Sequence, residues 1–271
     1  MAVLKLIVGF LALLWVSAVV YLYFAQSSIL YQPRPVDAML ETTLMQDVPG
    51  LEVFLVPTRD GQSLSGWYLP RRLGRGVAPA MVYFGGNAED ASDFMKQAKN
   101  YPDVSIVAVN YRGYGRSTGT PGELALKDDA LAVYDQVVAE TGRAAFVMGR
   151  SLGAGMAVHV AANREIVAAV LITPYDSILA VAKEHYHFLP VTWLLRDRYD
   201  ALPDAAKALA PALVIAANLD GTIPPDRARA LYDAWKGPKR FLNVPGAGHN
   251  DITQYPSYHT ATVNFLKEHL K

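Results

Sequence analysis

The chain of 271 residues has no cysteine, which excludes disulfides, thiolate nucleophiles and cysteine-type zinc sites. The absence does not choose a compartment, because a cysteine-free chain tolerates either redox state. Excess charge is missing as well: Lys+Arg 25 offset Asp+Glu 25 for a formal net charge of +0, and no block of like charges occurs. A nucleic-acid partner is not expected, since neutralising phosphates requires a basic face. Low-complexity tracts, internal repeats and a P-loop are also lacking. Gly113-Tyr114-Gly115-Arg116-Ser117-Thr118 starts like a dinucleotide fingerprint, but Thr118 stands at its sixth position and the match fails. His185-x-His187 has no third ligand at a helpful spacing. Neither a metal nor an organic cofactor is expected.

Apolar residues, in contrast, are abundant at 52%, enough for one compact domain with an ample core. Val3 to Ala25 form a 23-residue apolar stretch interrupted only by Lys5, Gly9, Ser17 and two tyrosines. As a helix it is long enough to cross a bilayer of about 30 Å, with Tyr21, Tyr23 and Phe24 at the far interface. A cleavable signal has a shorter apolar region and a small-x-small exit, and Tyr23-Phe24-Ala25 is a poor one. A single-pass membrane anchor is the expectation, with a cleaved signal and a buried core helix as the other readings. Positive charge near the span consists of the amino terminus and Lys5, both before it, and none follows until Arg34. The positive-inside rule then puts the N-terminus in the cytoplasm and the following domain outside.

The spacing divides the chain into an anchor (1–26), a proline-bearing connector (27–50) and one α/β domain (51–271). Leu51–Pro57 and Ser63–Pro70 are β-like runs joined through Asp60-Gly61, a hairpin signal. Further strands are expected at Ala80–Phe84, Val104–Asn110, Ala145–Met148, Val167–Ile172, Ala212–Ala217 and Phe241–Val244. Helices are expected near Ala88–Lys99, Glu123–Glu140, Leu152–Asn163, Asp226–Trp235 and Tyr258–Leu270. Such alternation of short apolar strands with helices predicts a mostly parallel sheet flanked by helices, with the hairpin adding antiparallel edge strands. The segment from about 176 to 211 is longer than one crossover helix needs. It reads as a small helical cap whose His185, Tyr186, His187, Phe188, Trp193, Leu194 and Leu195 either line an acyl pocket or pack onto the sheet.

The chemistry concentrates at Gly149-x-Ser151-x-Gly153, where an apolar run ends abruptly before a helical pattern. That is a nucleophile elbow: the serine sits on a sharp strand-to-helix turn, and glycines flank it because side chains there would collide with neighbouring elements. Serine needs an adjacent base, and His249 follows the run Phe241–Val244 in a glycine-rich loop. Asp220 follows Ala212–Ala217 and is the candidate to orient the imidazole. Ser, acid, His is the α/β-hydrolase order. Asp176 is the weaker rival acid, because Ser177-Ile178 directly after it marks a helix start. For a developing oxyanion, one backbone N–H is expected from Leu152 and another from Gly86 or Asn87 in Phe84-Gly85-Gly86-Asn87.

Tyr83-Phe84-Gly85-Gly86-Asn87-Ala88, Asn110-Tyr111-Arg112-Gly113-Tyr114-Gly115-Arg116-Ser117, Gly149–Gly153 and Pro245-Gly246-Ala247-Gly248-His249-Asn250-Asp251 together resemble the Bem46-type α/β-hydrolases over roughly residues 30–270. The resemblance implies an α/β-hydrolase fold with a small cap and an N-terminal anchor, Ser151, Asp220 and His249 as a triad, and acyl ester or thioester substrates of lipid-like or small-molecule type. One position departs: the family usually has histidine where this chain has Gly85, which leaves open how the oxyanion loop is braced. A serine peptidase and a catalytically silent membrane scaffold are the alternative functions.

Overall fold

Every residue of Ala212–Ala217 is buried, with Val214 and Ala216 turned to one side and Leu213, Ile215 and Ala217 to the other. A strand apolar on both faces has to lie inside a covered sheet. The computed structural model describes residues 1–34, 36–74 and 76–270; Pro35, Arg75 and Lys271 lie outside the described residues.

Eight strands form one sheet: β1 (Glu52–Pro57), β2 (Ser63–Leu69), β3 (Ala80–Phe84), β4 (Ser105–Val109), β5 (Phe146–Arg150), β6 (Ala169–Ile172), β7 (Ala212–Ala217) and β8 (Lys239–Val244). Their order is β1-β2-β4-β3-β5-β6-β7-β8. β2 runs antiparallel to both β1 and β4, and every other pairing is parallel. The hairpin expected from Asp60-Gly61 closes β1 onto β2, with Gly61 at φ +81° and the Thr58 N–H on the Gln62 carbonyl at 2.9 Å. A separate two-stranded ribbon pairs Arg72–Leu73 with Gly76–Val77.

The helices are α1 (Ala2–Leu30), α2 (Ala38–Asp47), α3 (Ala91–Met95), α4 (Glu123–Thr141), α5 (Leu152–Asn163), α6 (Ile178–His185), α7 (Val191–Leu194), α8 (Leu202–Ala205), α9 (Pro225–Ala234) and α10 (Pro256–Glu268). Residues of α4, α5 and α9, among them Val133, Met156 and Leu231, share one core with the sheet. Residues of α3 and α10, among them Phe94 and Phe265, share the core on the opposite face. Full burial of each such side chain contributes about 1.5–3 kcal/mol. This is the α/β-hydrolase architecture.

Three local departures from the sequence reading have identifiable causes. The helix expected over Ala88–Lys99 shrinks to α3, because Asp90 caps it through the Ser92 N–H and residues 85–89 are used in a loop. The stretch 27–50 holds the last turn of α1 and all of α2, whose start is capped by Asp37 accepting the Met39 and Leu40 N–H groups. Within 176–211, α8 and the residues on either side of it join the sheet-side core through Ala201, Ala205 and Ala208, and it is α6 and α7 that line the cavity over the C-terminal edge of the sheet.

Candidate active site

Ser151 occupies the junction of β5 and α5 with φ +53° and ψ −117°. A non-glycine residue held there costs about 1–3 kcal/mol, so the surroundings must impose it. The Ser151 N–H donates to the Ile172 carbonyl at 2.9 Å, and the Ser151 carbonyl accepts the Ala154 N–H at 2.9 Å. A Cβ at Gly149 would overlap the Gly153 carbonyl, and one at Gly153 would overlap the Phe84 carbonyl. The elbow is packed backbone against backbone, and only glycine fits on either side.

His249 projects from the loop after β8, with Nε2 3.0 Å from Ser151 Oγ and Nδ1 2.7 Å from Asp220 Oδ2. A carboxylate facing Nδ1 keeps the proton on that nitrogen, which leaves Nε2 to accept from the serine hydroxyl. Asp220, in the turn after β7, is held by its other oxygen: Oδ1 accepts the Thr222 and Ile223 N–H groups at 2.8 Å each. Its side chain is 1% exposed and that of His249 10%. The two loops are joined by the Leu219 N–H on the Ala247 carbonyl at 2.8 Å, and Asp251 Oδ1 closes the histidine turn on the Gly248 N–H at 2.7 Å. Asp176 stands apart from the histidine. One oxygen accepts the Ser177 N–H at 2.7 Å and the other pairs with Arg227 Nη1 at 2.9 Å.

The loop after β3 approaches the serine closely, since a Cβ built on Gly86 would lie 3.7 Å from Ser151 Cβ. Its two candidate donors separate. Gly86 gives its N–H to Glu89 Oε2 at 2.5 Å, so that amide is occupied. Among the described residues the N–H groups of Asn87 and Leu152 have no internal acceptor, and Leu152 opens α5, where the helix dipole favours negative charge. The Asn87 carbonyl is held by the Tyr114 hydroxyl at 2.8 Å and the Gln32 N–H at 3.1 Å.

Two charged residues that sequence reasoning passed over brace this loop. Glu89 accepts from Gly86 and from Tyr83, and its carboxylate pairs with Arg150 Nη1 at 3.2 Å. Arg150 also donates through Nη2 to the His249 carbonyl at 3.1 Å. Burial pushes the hydroxyls of Tyr83 and Tyr111 well above the usual phenol range, so both stay protonated donors. Tyr111 gives its proton to the Gly85 carbonyl at 2.7 Å. The available signal was Arg150 itself, a charge inside the elbow pentapeptide.

A cavity of about 420 Å³ opens above Ser151 and Leu152, within the range of small-ligand sites. Of the cap aromatics, Tyr186 and His185 line it with Leu194 and Leu195, whereas Phe188 (57% exposed) and Trp193 (85% exposed) face outward. Asn87 and the turn at 221–223 add to the lining, and a further wall comes from the C-terminal turns of α1, including Leu22, Tyr23 and Leu30. That contribution was not expected from the sequence, in which α1 figured only as an anchor. The helix is long and apolar enough to cross a membrane.

The sequence pattern of the Alpha/beta hydrolase family matches residues 64–199. An uncharacterized protein of Mycobacterium tuberculosis, Rv2307c, is 34% identical over 251 residues, covering 90% of this chain and 88% of that protein. The human alpha/beta hydrolase domain-containing protein 17B is 27% identical over 230 residues, covering 81% of this chain and 76% of its own length. Among solved structures, the Pyrococcus furiosus esterase Pf2001 superposes with a TM-score of 0.67 at 18% identity, covering 88% of this chain and 98% of that one.

Proposed function

The chain belongs to the alpha/beta hydrolase family, and from that premise we propose that it is a serine hydrolase cleaving carboxylic esters or thioesters through an acyl-Ser151 intermediate. One observation carries the reading: the continuous hydrogen-bond chain from Ser151 Oγ through His249 to Asp220, with steps of 3.0 and 2.7 Å. The esterase likeness in fold supports a hydrolytic role.

In this mechanism Ser151 Oγ attacks the acyl carbonyl carbon while His249 Nε2 takes its proton. The carbonyl oxygen becomes an oxyanion facing the Leu152 and Asn87 N–H groups, and Asp220 stabilises the imidazolium. Collapse breaks the bond to the leaving oxygen or sulfur, which receives the proton from His249. Water then attacks the acyl-serine, gives its proton to His249, and the carboxylic acid departs as Ser151 regains its hydrogen. The strained elbow and the Arg150–Glu89 brace keep both donors in place before charge develops, which is what makes such stabilisation effective.

In the same proposal α1 anchors the protein in a membrane, with the N-terminus cytoplasmic and the catalytic domain outside. The test is fluorophosphonate labelling of membranes carrying wild type or Ser151→Ala. Labelling of wild type alone is expected; a folded wild type that stays unlabelled would sink the proposal.

A further inference from the structure

Helix α1 is longer than a crossing requires. Its 29 residues extend about 43 Å at 1.5 Å per residue, against about 30 Å of hydrocarbon. Every residue from Ala2 to Ala18 is exposed, whereas Val19, Leu22, Tyr23, Ala25, Gln26 and Leu30 are half-buried. All of these but Ala25 share one helical face, and that face is docked on the catalytic domain.

The docking is specific. Gln26 Oε1 accepts the Arg196 N–H at 2.8 Å and its amide donates to the Leu194 carbonyl at 3.2 Å. The Arg196 guanidinium stands 4.4 Å from the centre of the Tyr23 ring, within cation–π range. Trp15 Nε1 donates to the Phe188 carbonyl at 3.1 Å. Just past the helix, the Gln32 N–H reaches the Asn87 carbonyl at 3.1 Å, on the loop beside Ser151.

We infer that α1 is a wall of the substrate site, and that the substrate is a bilayer-resident amphiphile whose acyl chain lies between α1 and the cap with its ester or thioester carbonyl at Ser151. This rests on the hydrolase reading above. Leu22 and Ile29 of α1 face the same 420 Å³ space as Val181, Leu189 and Leu194 of the cap and as Ser151 itself. An acyl chain there meets hydrocarbon on both sides, and each methylene moved out of water is worth about 0.8 kcal/mol. Phe188, whose carbonyl meets Trp15 of α1, and Trp193 are both exposed on the cap, and aromatic rings favour the membrane–water interface. The mouth of the cavity therefore lies where the polar head of an amphiphile meets its tail, and substrate enters sideways from the bilayer.

The experiment uses full-length protein in lipid nanodiscs and compares kcat/KM for a butanoyl and a hexadecanoyl ester of the same alcohol. Leu22→Trp and Ile29→Trp fill the wall, and Phe24→Trp, on the exposed side of α1, is the control. The expected result is at least a tenfold fall in the ratio of hexadecanoyl to butanoyl kcat/KM in the two wall variants, with the ratio of the control unchanged. Equal chain-length profiles in wild type and wall variants, in protein that still reacts with fluorophosphonate, would overturn the wall while leaving the hydrolase reading intact. So would a mature protein whose N-terminal sequence begins after Ala25. Absence of activity and labelling in wild type would instead remove the hydrolase reading and the wall with it. Retained fluorophosphonate labelling in Leu22→Trp and Ile29→Trp separates a filled pocket from misfolding.

Discussion

Arg150 Nη1 lies 3.2 Å from Glu89 Oε1, and this ion pair connects the loop that carries Asn87 to the loop that carries His249. Both side chains are largely shielded from water, 13% and 15% exposed, so the pair is screened less than one on the surface. Through the Gly86 N–H that Glu89 accepts, the pair sets where the backbone after β3 stands relative to Ser151.

Glu89→Ala frees the Gly86 N–H and releases Arg150. The expected effect is a fall in kcat of roughly ten- to hundredfold, below the full loss of an oxyanion donor because Glu89 acts through the loop. KM for a short ester stays near wild type, and Glu89→Gln recovers part of the rate by keeping an acceptor for Gly86. Steady-state kinetics on the three proteins check this; equal loss in kcat/KM through KM alone would contradict a positioning role.

Asp220→Asn keeps an oxygen for the Thr222 and Ile223 N–H groups, so the turn survives. The amide no longer favours a proton on His249 Nδ1, and kcat is expected to drop about 10⁴-fold with little change in melting temperature. Calorimetry alongside turnover distinguishes this from loss of fold.

Backbone strain at Ser151 predicts opposite stabilities for two inactive variants. Glycine at φ +53° relieves the strain, whereas alanine retains it. Ser151→Gly is expected to melt roughly 2–6 °C above Ser151→Ala, from about 1–2 kcal/mol of net relief in a domain this size. Equal melting temperatures would mean that the elbow is not strained.

Acid should weaken the fold through Asp60. Hydrogen bonds from Arg112, then from Thr58, hold the Asp60 carboxyl down from the ordinary 3.8 to about 2. A depressed folded value means that Asp60 contributes stability above the ordinary carboxylate range and loses it as pH falls from about 4 towards 2. Urea unfolding at pH 5 and pH 3 should show a smaller pH-dependent loss for Asp60→Asn than for wild type.

The central strands were legible because they are apolar on both faces; Ala80–Phe84 and Ala212–Ala217 run between the residues that the pattern indicated. The placement of Ser151, Asp220 and His249 was legible for a related reason, since each lies in the turn or loop that follows a parallel strand and so falls on the same edge of the sheet. The contacts of Arg150 were not, because a long charged side chain carries no periodicity that tells which carboxylate it will meet. Nor was the second role of Leu22–Leu30. A helix apolar all round reads as a membrane span, and hydropathy is silent about which stripe another part of the chain will cover.

The elbow leaves the chain few letters to vary. Gly149 and Gly153 abut backbone carbonyls and admit no side chain, Ser151 supplies the hydroxyl, and Leu152 offers an N–H that any residue but proline would offer. Position 150 is the place in the pentapeptide whose side chain reaches both the loop after β3 and the loop after β8. Variation written there is inherited by two loops at once.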